Sequence, residues 1–519
     1  MRSLSQARKA GMGFVVVLVS MALAGTETPT SRTIGSHTGG IASTHYSPDG
    51  KLLVSGGGDK MIRIWNVADA KMLHECQGPS SFTCAVRFSP DGKTIAGAGY
   101  ESGQGNSIYL FDVATGKALP KLPGHPSGGI RRLAFTPDGK QLVSGGFDGT
   151  VRVWDLQTKK EVRQLKVESG TVYSLALSND GKLLATAGRD GLKVWDIAAE
   201  KMLHREPLLG STCFATAFSP DGKLVAGGDG TRVTIWEVLT GKEVLVLKGF
   251  EGELAQVLFT SDSRSLLTAS YDRKVRIFEM RTGRIVHEVE QHTGWVWGIA
   301  LSPDEKQVAS CSIDTHLKVL DVAGLLGKPT GKTTKLTDKQ RDDYMAYLAS
   351  GDAAAAYRAV CALAADPEGS LPVIQKRFET PSGKGPTSVE ISRMIRDLDA
   401  DRYATREKAS KDLDEAGARA VPALQRALSK PPSPEVRIRA RRLLAGLDGT
   451  ILPADQLIAL RGVQALEYMG TPQARKLLEK LSRGEAGDRL SEEAAQALLR
   501  LKRSPATATS VGAPTGEGS

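Results

Sequence analysis

The sequence predicts a mainly β fold, a ring of seven four-stranded units, followed by an all-α region built from helical repeats. Three observations carry that prediction. A tight-turn sequence recurs as SPDG at Ser47 and Ser89, TPDG at Thr136, SNDG at Ser178, SPDG at Ser219, TSDS at Thr260 and SPDE at Ser302. Its aspartates, Asp49, Asp91, Asp138, Asp180, Asp221, Asp262 and Asp304, lie 42, 47, 42, 41, 41 and 42 residues apart. Each turn is followed by a second landmark: RIWN at Arg63, YLFD at Tyr109, RVWD at Arg152, KVWD at Lys193, TIWE at Thr234, RIFE at Arg276 and KVLD at Lys318. A period of about 40–45 residues marks four-stranded propeller blades, so residues 30–325 read as a seven-bladed β-propeller. The third observation is a change of hydrophobic period, from two to 3.6, beyond residue 336.

The chain has 519 residues, 40% of them hydrophobic and 24% charged. These values exclude disorder and a multispan membrane protein and leave room for more than one domain. The first segment stands apart. Arg2, Arg8 and Lys9 precede an apolar run from Met12 to Ala24 that suits a signal-peptide core and is too short to span a bilayer. Ala22 and Ala24 give a small-x-small cleavage pattern, so residues 1–25 are expected to be removed and the chain exported to the periplasm or beyond, or anchored to the membrane if uncleaved. The five cysteines, Cys76, Cys84, Cys213, Cys311 and Cys361, form no C-x-x-C pair. They read as small apolar fillers, with one Cys76 to Cys84 bridge left open.

Blades follow near residues 41–78, 82–123, 129–167, 171–208, 212–249, 253–290 and 295–322. Alternation as in VRVW gives each strand two faces, and Pro-Asp-Gly supplies the preset φ and tolerance for φ > 0 that its turns need. One four-stranded sheet cannot bury both faces alone, so neighbouring blades must stack. The seventh blade leaves KVLD with three strands, and SRTIGSHTGG, ahead of the first inner strand, is expected to supply the fourth through residues 30–37, closing the ring and covering an edge.

Turn and W-D landmark together resemble the WD40 repeat family. The resemblance implies a hydrogen-bonded set in each blade, made of a His, a strand Ser, a loop Asp and the strand Trp. His37, Ser55, Asp59 and Trp65 match it in the first blade, and His125, Ser144, Asp148 and Trp154 in the third. The seventh has His292, Ser310 and Asp314 but Leu320, and the second, fourth, fifth and sixth lack the His. They read as structural ties. The family's top face is formed by the loops before the first strand and between the second and third. Aligning the blades there places Phe82, Arg131, Tyr173, Phe214, Trp295 and Trp297 before or at the first strand, and Phe147, Arg189 and Tyr271 before the loop Asp. Aromatics are 5% of the chain, and aromatics with Arg are what protein-binding hot spots favour, so these nine residues form the candidate protein-binding face. The other reading of Phe82, Tyr173 and Phe214 is as wedges between blades.

Residues 326–336, with GKPTGKTTK, read as a linker. Beyond it Ile391, Met394, Ile395 and Leu398 share one helix face, Thr337 with Gln340 makes a capping box, and Ser433-Pro434 and Thr471-Pro472 place a cap before a first-turn Pro. The stretch from Ile395 to Leu447, with its acidic turn, helix, Ala-Val-Pro and second helix, resembles a HEAT-type hairpin, and the region 337–502 is expected to hold three or four. Residues 503–519 are low in complexity and read as unfolded.

Searches for G-x-S-x-G, H-E-x-x-H, a P-loop and metal-spaced His clusters find none, so the chain reads as a non-enzyme with no catalytic residue, cofactor or metal. The Gly-rich YESGQGNS at Tyr100 lacks a P-loop Lys and reads as a top-face loop. Net charge is +10, and from Lys328 onward 31 Lys and Arg face 25 Asp and Glu. Arg437, Arg439, Arg441 and Arg442 fan around their helix, which favours a solvated face over a nucleic-acid stripe. The sequence is similar to bacterial WD-repeat proteins with helical C-terminal regions, which implies a scaffold that binds protein partners outside the cytoplasm. Two alternatives remain: a lactonase- or lyase-like propeller enzyme with carboxylates or His at the channel mouth, and a cytoplasmic regulator whose helical tail binds nucleic acid.

Overall fold

The computed structural model describes residues 31–101, 106–167, 170–206, 212–280, 283–323, 325–326, 335–379, 386–429, 431–446, 454–484 and 489–503. Residues 1–30, the tip of the Gly-rich loop, most of the linker and the C-terminal tail lie outside them. Seven four-stranded antiparallel sheets form the propeller. Their inner strands are Ile41–Tyr46, Phe82–Phe88, Ile130–Phe135, Ser174–Leu177, Cys213–Phe218, Leu254–Phe259 and Val296–Leu301, and these define blades 1 to 7. The strand Ser31–Ser36 is the outer strand of blade 7, paired antiparallel with His316–Asp321 from Ser31 against Leu320 to Ser36 against His316. Ile34 buries there, and a Cβ on Gly35 would collide with the Trp65 ring, so blade 1 holds this strand by an approach only Gly permits.

Each turn aspartate organises its own hairpin. In blade 1 Asp49 accepts from the Ser47 hydroxyl at 2.6 Å and the Lys51 N–H at 3.1 Å, while Ser47 Oγ accepts from Leu52 N–H at 2.9 Å. The same contacts recur at Asp91, Asp180 and Asp304, which is why the sequence keeps a hydroxyl two residues before the Asp. Higher in the blade, Trp65 N–H donates to Ser55 Oγ at 2.7 Å, Ser55 meets His37 Nε2 at 2.7 Å, and His37 Nδ1 meets Asp59 at 2.8 Å. His125, Ser144, Asp148 and Trp154 make the corresponding chain in blade 3, and His292, Ser310 and Asp314 in blade 7. Each side chain is buried and satisfied by the next, the arrangement a low-dielectric interior demands. All five cysteines are buried and none forms a disulfide, Cys76 and Cys84 included.

Among the described residues the C-terminal region holds ten helices: α1 (Asp338–Tyr347), α2 (Ala353–Ala365), α3 (Pro367–Glu379), α4 (Ser388–Asp397), α5 (Tyr403–Ala416), α6 (Val421–Ser429), α7 (Pro434–Gly446), α8 (Ala454–Met469), α9 (Pro472–Ser482) and α10 (Arg489–Arg503). Thr337 and Gln340 do form the capping box of α1, and Thr471 caps α9. The helices build two cores. α4–α7 pack around Ile391, Leu398, Leu413, Leu424 and Val436. The remaining six do not continue that stack. α8 returns to pack on α2 and α3, and together with α9 and α10 they share one core with blade 5. Leu336, assigned to the linker by its sequence, is buried in that core, and its N–H donates to Asp366.

The contact with blade 5 is polar as well as apolar. Arg461 on α8, 2% exposed, forks onto Glu237 at 2.8 and 2.7 Å and donates to the carbonyls of Leu348 and Ser350. The Tyr468 hydroxyl donates to Asp221, and Lys223 lies 3.4 Å from Glu467 and 3.3 Å from Glu493, both of which Arg500 also binds. Asp221 is thus a turn aspartate buried by helices, and α2 covers the outer strand Lys242–Leu247.

Candidate binding face at the channel mouth

The turn aspartates sit at one end of the inner strands, and the nine candidate residues gather at the other. Seven residues before each turn Asp stand Ala42, Cys84, Arg131, Tyr173, Phe214, Ala255 and Trp297. Six of them, all but Tyr173, line one pocket at the channel mouth, of about 100 Å³, with Phe82, Arg132 and Tyr271 completing it. Blades 1, 2 and 6 supply small residues there, and blades 3, 5 and 7 supply Arg131, Phe214 and Trp297.

A backbone device aims these side chains. The pairing between first and second strands shifts register at Ala42, Cys84, Arg131, Phe214, Ala255 and Trp297. An extra residue in one strand leaves the ladder and re-aims its side chain. In blade 4 the strand begins only at Ser174, its pairing with Leu183–Gly188 is regular, and Tyr173 is the one member of the set that misses the pocket. The shift also explains how Arg131 and Arg132, neighbours that simple alternation would send to opposite faces, line the same pocket.

Nine residues after each turn Asp lies the other half of the face: Gly58, Tyr100, Phe147, Arg189, Gly230, Tyr271 and Ile313. Aromatic residues at or beside these positions pair between neighbouring blades. Tyr100 and Phe147 lie 4.7 Å apart between blades 2 and 3, and Tyr173 meets Phe214 edge-on at 4.9 Å between blades 4 and 5. Tyr271 and Trp295 stack at 4.9 Å and 11° between blades 6 and 7. Blade 1, like blade 5, has a Gly at this position, and over Gly58 Phe82 reaches Trp297 at 6.0 Å. Phe82, Tyr173 and Phe214 therefore contact across blades while staying partly exposed. Trp295 is 48% exposed, and Arg189 is exposed without an aromatic partner.

The pocket is cationic. Arg132 reaches across the channel from blade 3 to the Ala255 carbonyl of blade 6 at 3.4 Å and forms its floor. Arg87, beneath, donates to Ser43 Oγ at 3.2 Å and the Val86 carbonyl at 2.8 Å. Burial, reinforced by Arg131 and Arg87, brings Arg132 down to about 9, and burial brings Arg87 down to about 10, so both stay charged at neutral pH. Burial pushes the thiols the other way, Cys84 to about 11 and Cys311 to about 12, leaving them neutral. Tyr271 is also raised by burial. Among the described residues no carboxylate or His lines this pocket.

Two groups of residues escaped sequence reasoning. Tyr100 was passed over because the Gly-rich insertion displaces the loop Asp used as landmark, although the distance from Asp91 identifies it. Arg132 and Arg87 carry no repeat signal, since corresponding residues in other blades differ. Among the arginines of VRIRARRLL, Arg439 is held by Glu435 and Glu407. Among the described residues no group of His, Cys, Asp and Glu is placed to hold a metal ion, and no helix is long and apolar enough to cross a membrane.

Five segments of the chain, residues 29–66, 116–155, 159–196, 241–279 and 283–321, match the family model of the WD domain, G-beta repeat. Similar proteins include the small ribosomal subunit protein RACK1 of Caenorhabditis elegans, 30% identical over 168 residues that cover 30% of this chain and 50% of the relative. RACK1y of Oryza sativa subsp. japonica is 32% identical over 164 residues, covering 30% of this chain and 47% of the relative. Pre-mRNA-processing factor 19 of the same plant is 28% identical over 166 residues, 31% of each chain. The matched stretch spans about half the length of these relatives or less. The chain carries WD40 repeats on a seven-bladed β-propeller, joined to a helical C-terminal region.

Proposed function

We propose that this protein is a non-catalytic scaffold that binds a protein partner at the channel mouth and works outside the cytoplasm. The observation that carries the reading is the interlocked set of aromatic pairs and arginines around one pocket, on the end of the disc that the helices leave uncovered. Rigid aromatics lose little entropy on binding, and aromatics with Arg dominate interface energies. A lactonase- or lyase-like reaction would need His or carboxylate groups that the pocket lining lacks. By name, one relative is a component of the small ribosomal subunit, a role as part of an assembly. We read α4–α7 as two HEAT-like hairpins offering a second surface, and residues 1–25 as the export signal.

Capture from envelope extracts tests the binding face, using the wild-type chain beside a Trp295→Ala, Trp297→Ala double variant matched in thermal stability. A specific partner should be lost with the double variant, and equal retention would move the working surface to the helices. Export is tested by N-terminal sequencing of the chain recovered from its native host, which should begin near Gly25. Recovery of the uncleaved chain from the cytoplasm would reject it.

A further inference from the structure

Resting on the reading of the channel mouth as a protein-binding face, we infer that the pocket between Arg131 and Arg132 takes a carboxylate of the partner, so that the segment docking there is an acidic peptide. Three features lead to this. The first is an imbalance of charge. Arg87, Arg131 and Arg132 stand close enough to feel one another, and among the described residues none of them forms an ion pair. Elsewhere the propeller pairs its buried arginines: Arg63 with Asp59 and Glu75, Arg276 with Asp272 and Glu288.

The second feature is an open hydrogen-bonding capacity. Arg87 and Arg132 have protein acceptors, as described above, but Arg131 Nε is buried with no partner. Its guanidinium lies beside the Cys84 thiol and near the Tyr100 and Tyr271 hydroxyls, all three of which burial keeps neutral. A guanidinium fork matches a carboxylate in two parallel bonds, and in a water-poor pocket such charge-assisted bonds are at their strongest.

The third is shape. Arg132, Phe214, Tyr271 and Trp297 are among the residues that line the pocket, and its volume of about 100 Å³ has room for the end of a side chain. A low-dielectric wall around one sign of charge focuses its field outward and draws an anion in. Glu253 is exposed near Tyr271, and among the described residues it forms no ion pair with these arginines.

The test uses the full chain and a fluorescein-labelled peptide of alternating Gly and Glu, with a Gly and Lys peptide as control and inorganic phosphate as competitor. Anisotropy should show saturable, salt-sensitive binding of the acidic peptide alone. Arg131→Gln should weaken it at least tenfold, and Arg131→Lys, which keeps the charge but not the fork, by an intermediate factor. Melts of both variants establish folding, and the Lys variant carries the test if the Gln variant does not fold. The inference falls if both peptides bind alike, if the Arg131 variants bind as the wild type does, or if phosphate binds where the acidic peptide does not. Partner capture separates the two readings. A partner lost in the tryptophan double variant but kept by Arg131→Gln retains the binding face and rejects the carboxylate site. A partner kept by both, alongside Arg131-dependent peptide binding, rejects the face as the partner's site and leaves the anion pocket standing.

Discussion

The underside of blade 5 and the channel mouth are made from the same repeat, and they treat arginine oppositely. At blade 5 every buried cation has its carboxylate: Arg461 with Glu237, Lys223 and Arg500 with Glu467 and Glu493. At the mouth Arg131 and Arg132 line a pocket with Arg87 beneath it, and among the described residues no carboxylate lines it. The first surface is complete within the chain, and the second is not. A repeat therefore fixes where side chains stand, while the exceptions to it decide which surface is used internally and which is left for another molecule.

The largest effect is expected where the completed surface is broken. Arg461→Ala leaves Glu237 buried and unpaired and removes the donors to Leu348 and Ser350, which should cost about 3–5 kcal/mol. Urea unfolding followed by Trp fluorescence measures it, and a loss below about 1 kcal/mol would mean the helices hold blade 5 by apolar contact alone. Next is a tie inside the disc. Ser144→Ala strands the buried Trp154 N–H and His125 Nε2 together, at a cost of about 2–3 kcal/mol. A thermal melt checks this, and because neither group lines the pocket at the mouth, acidic-peptide binding should be unchanged.

A smaller and graded effect comes from pH. His45 Nδ1 accepts the Phe88 N–H at 3.3 Å, and burial followed by Arg87 lowers its pKa to about 3. Burial also lowers His37 and His292. A histidine whose folded pKa lies below its unfolded value stays neutral while the unfolded chain takes up a proton, so stability is lost as pH falls below about 6.5. Asp59, whose partners His37 and Arg63 outweigh its burial and hold it to about 2, adds a second loss below about 4. Between pH 6.5 and 5 His45 alone should account for on the order of 1–2 kcal/mol. Urea midpoints across that range would show it, and His45→Gln should flatten the slope.

The seven sheets were legible because each turn needs its Ser-x-Asp contacts in place, and Asp49 to Asp304 keep the count through the insertion after Tyr100. Half of the mouth was legible for the same reason. What alternation could not give was the register shift at Arg131, since an inserted residue reverses the faces that follow without changing composition. The docking of the helices was silent as well. Asp221 reads like any other turn aspartate, and α8 is buried through eight successive residues from Arg461 to Tyr468, so it shows no stripe for periodicity to find. Its Arg, Gln and Glu look like an exposed face until the neighbours that enclose it are known.

The closing strand has a mechanical consequence. Ser31 lies opposite Leu320, so the chain enters and leaves blade 7 at the same end of one antiparallel pair. Tension applied between residue 31 and Asp321 would load those backbone bonds one after another, as a zipper opens, instead of shearing them all at once. The ring would yield by peeling at a single seam, with six blades outside the line of force.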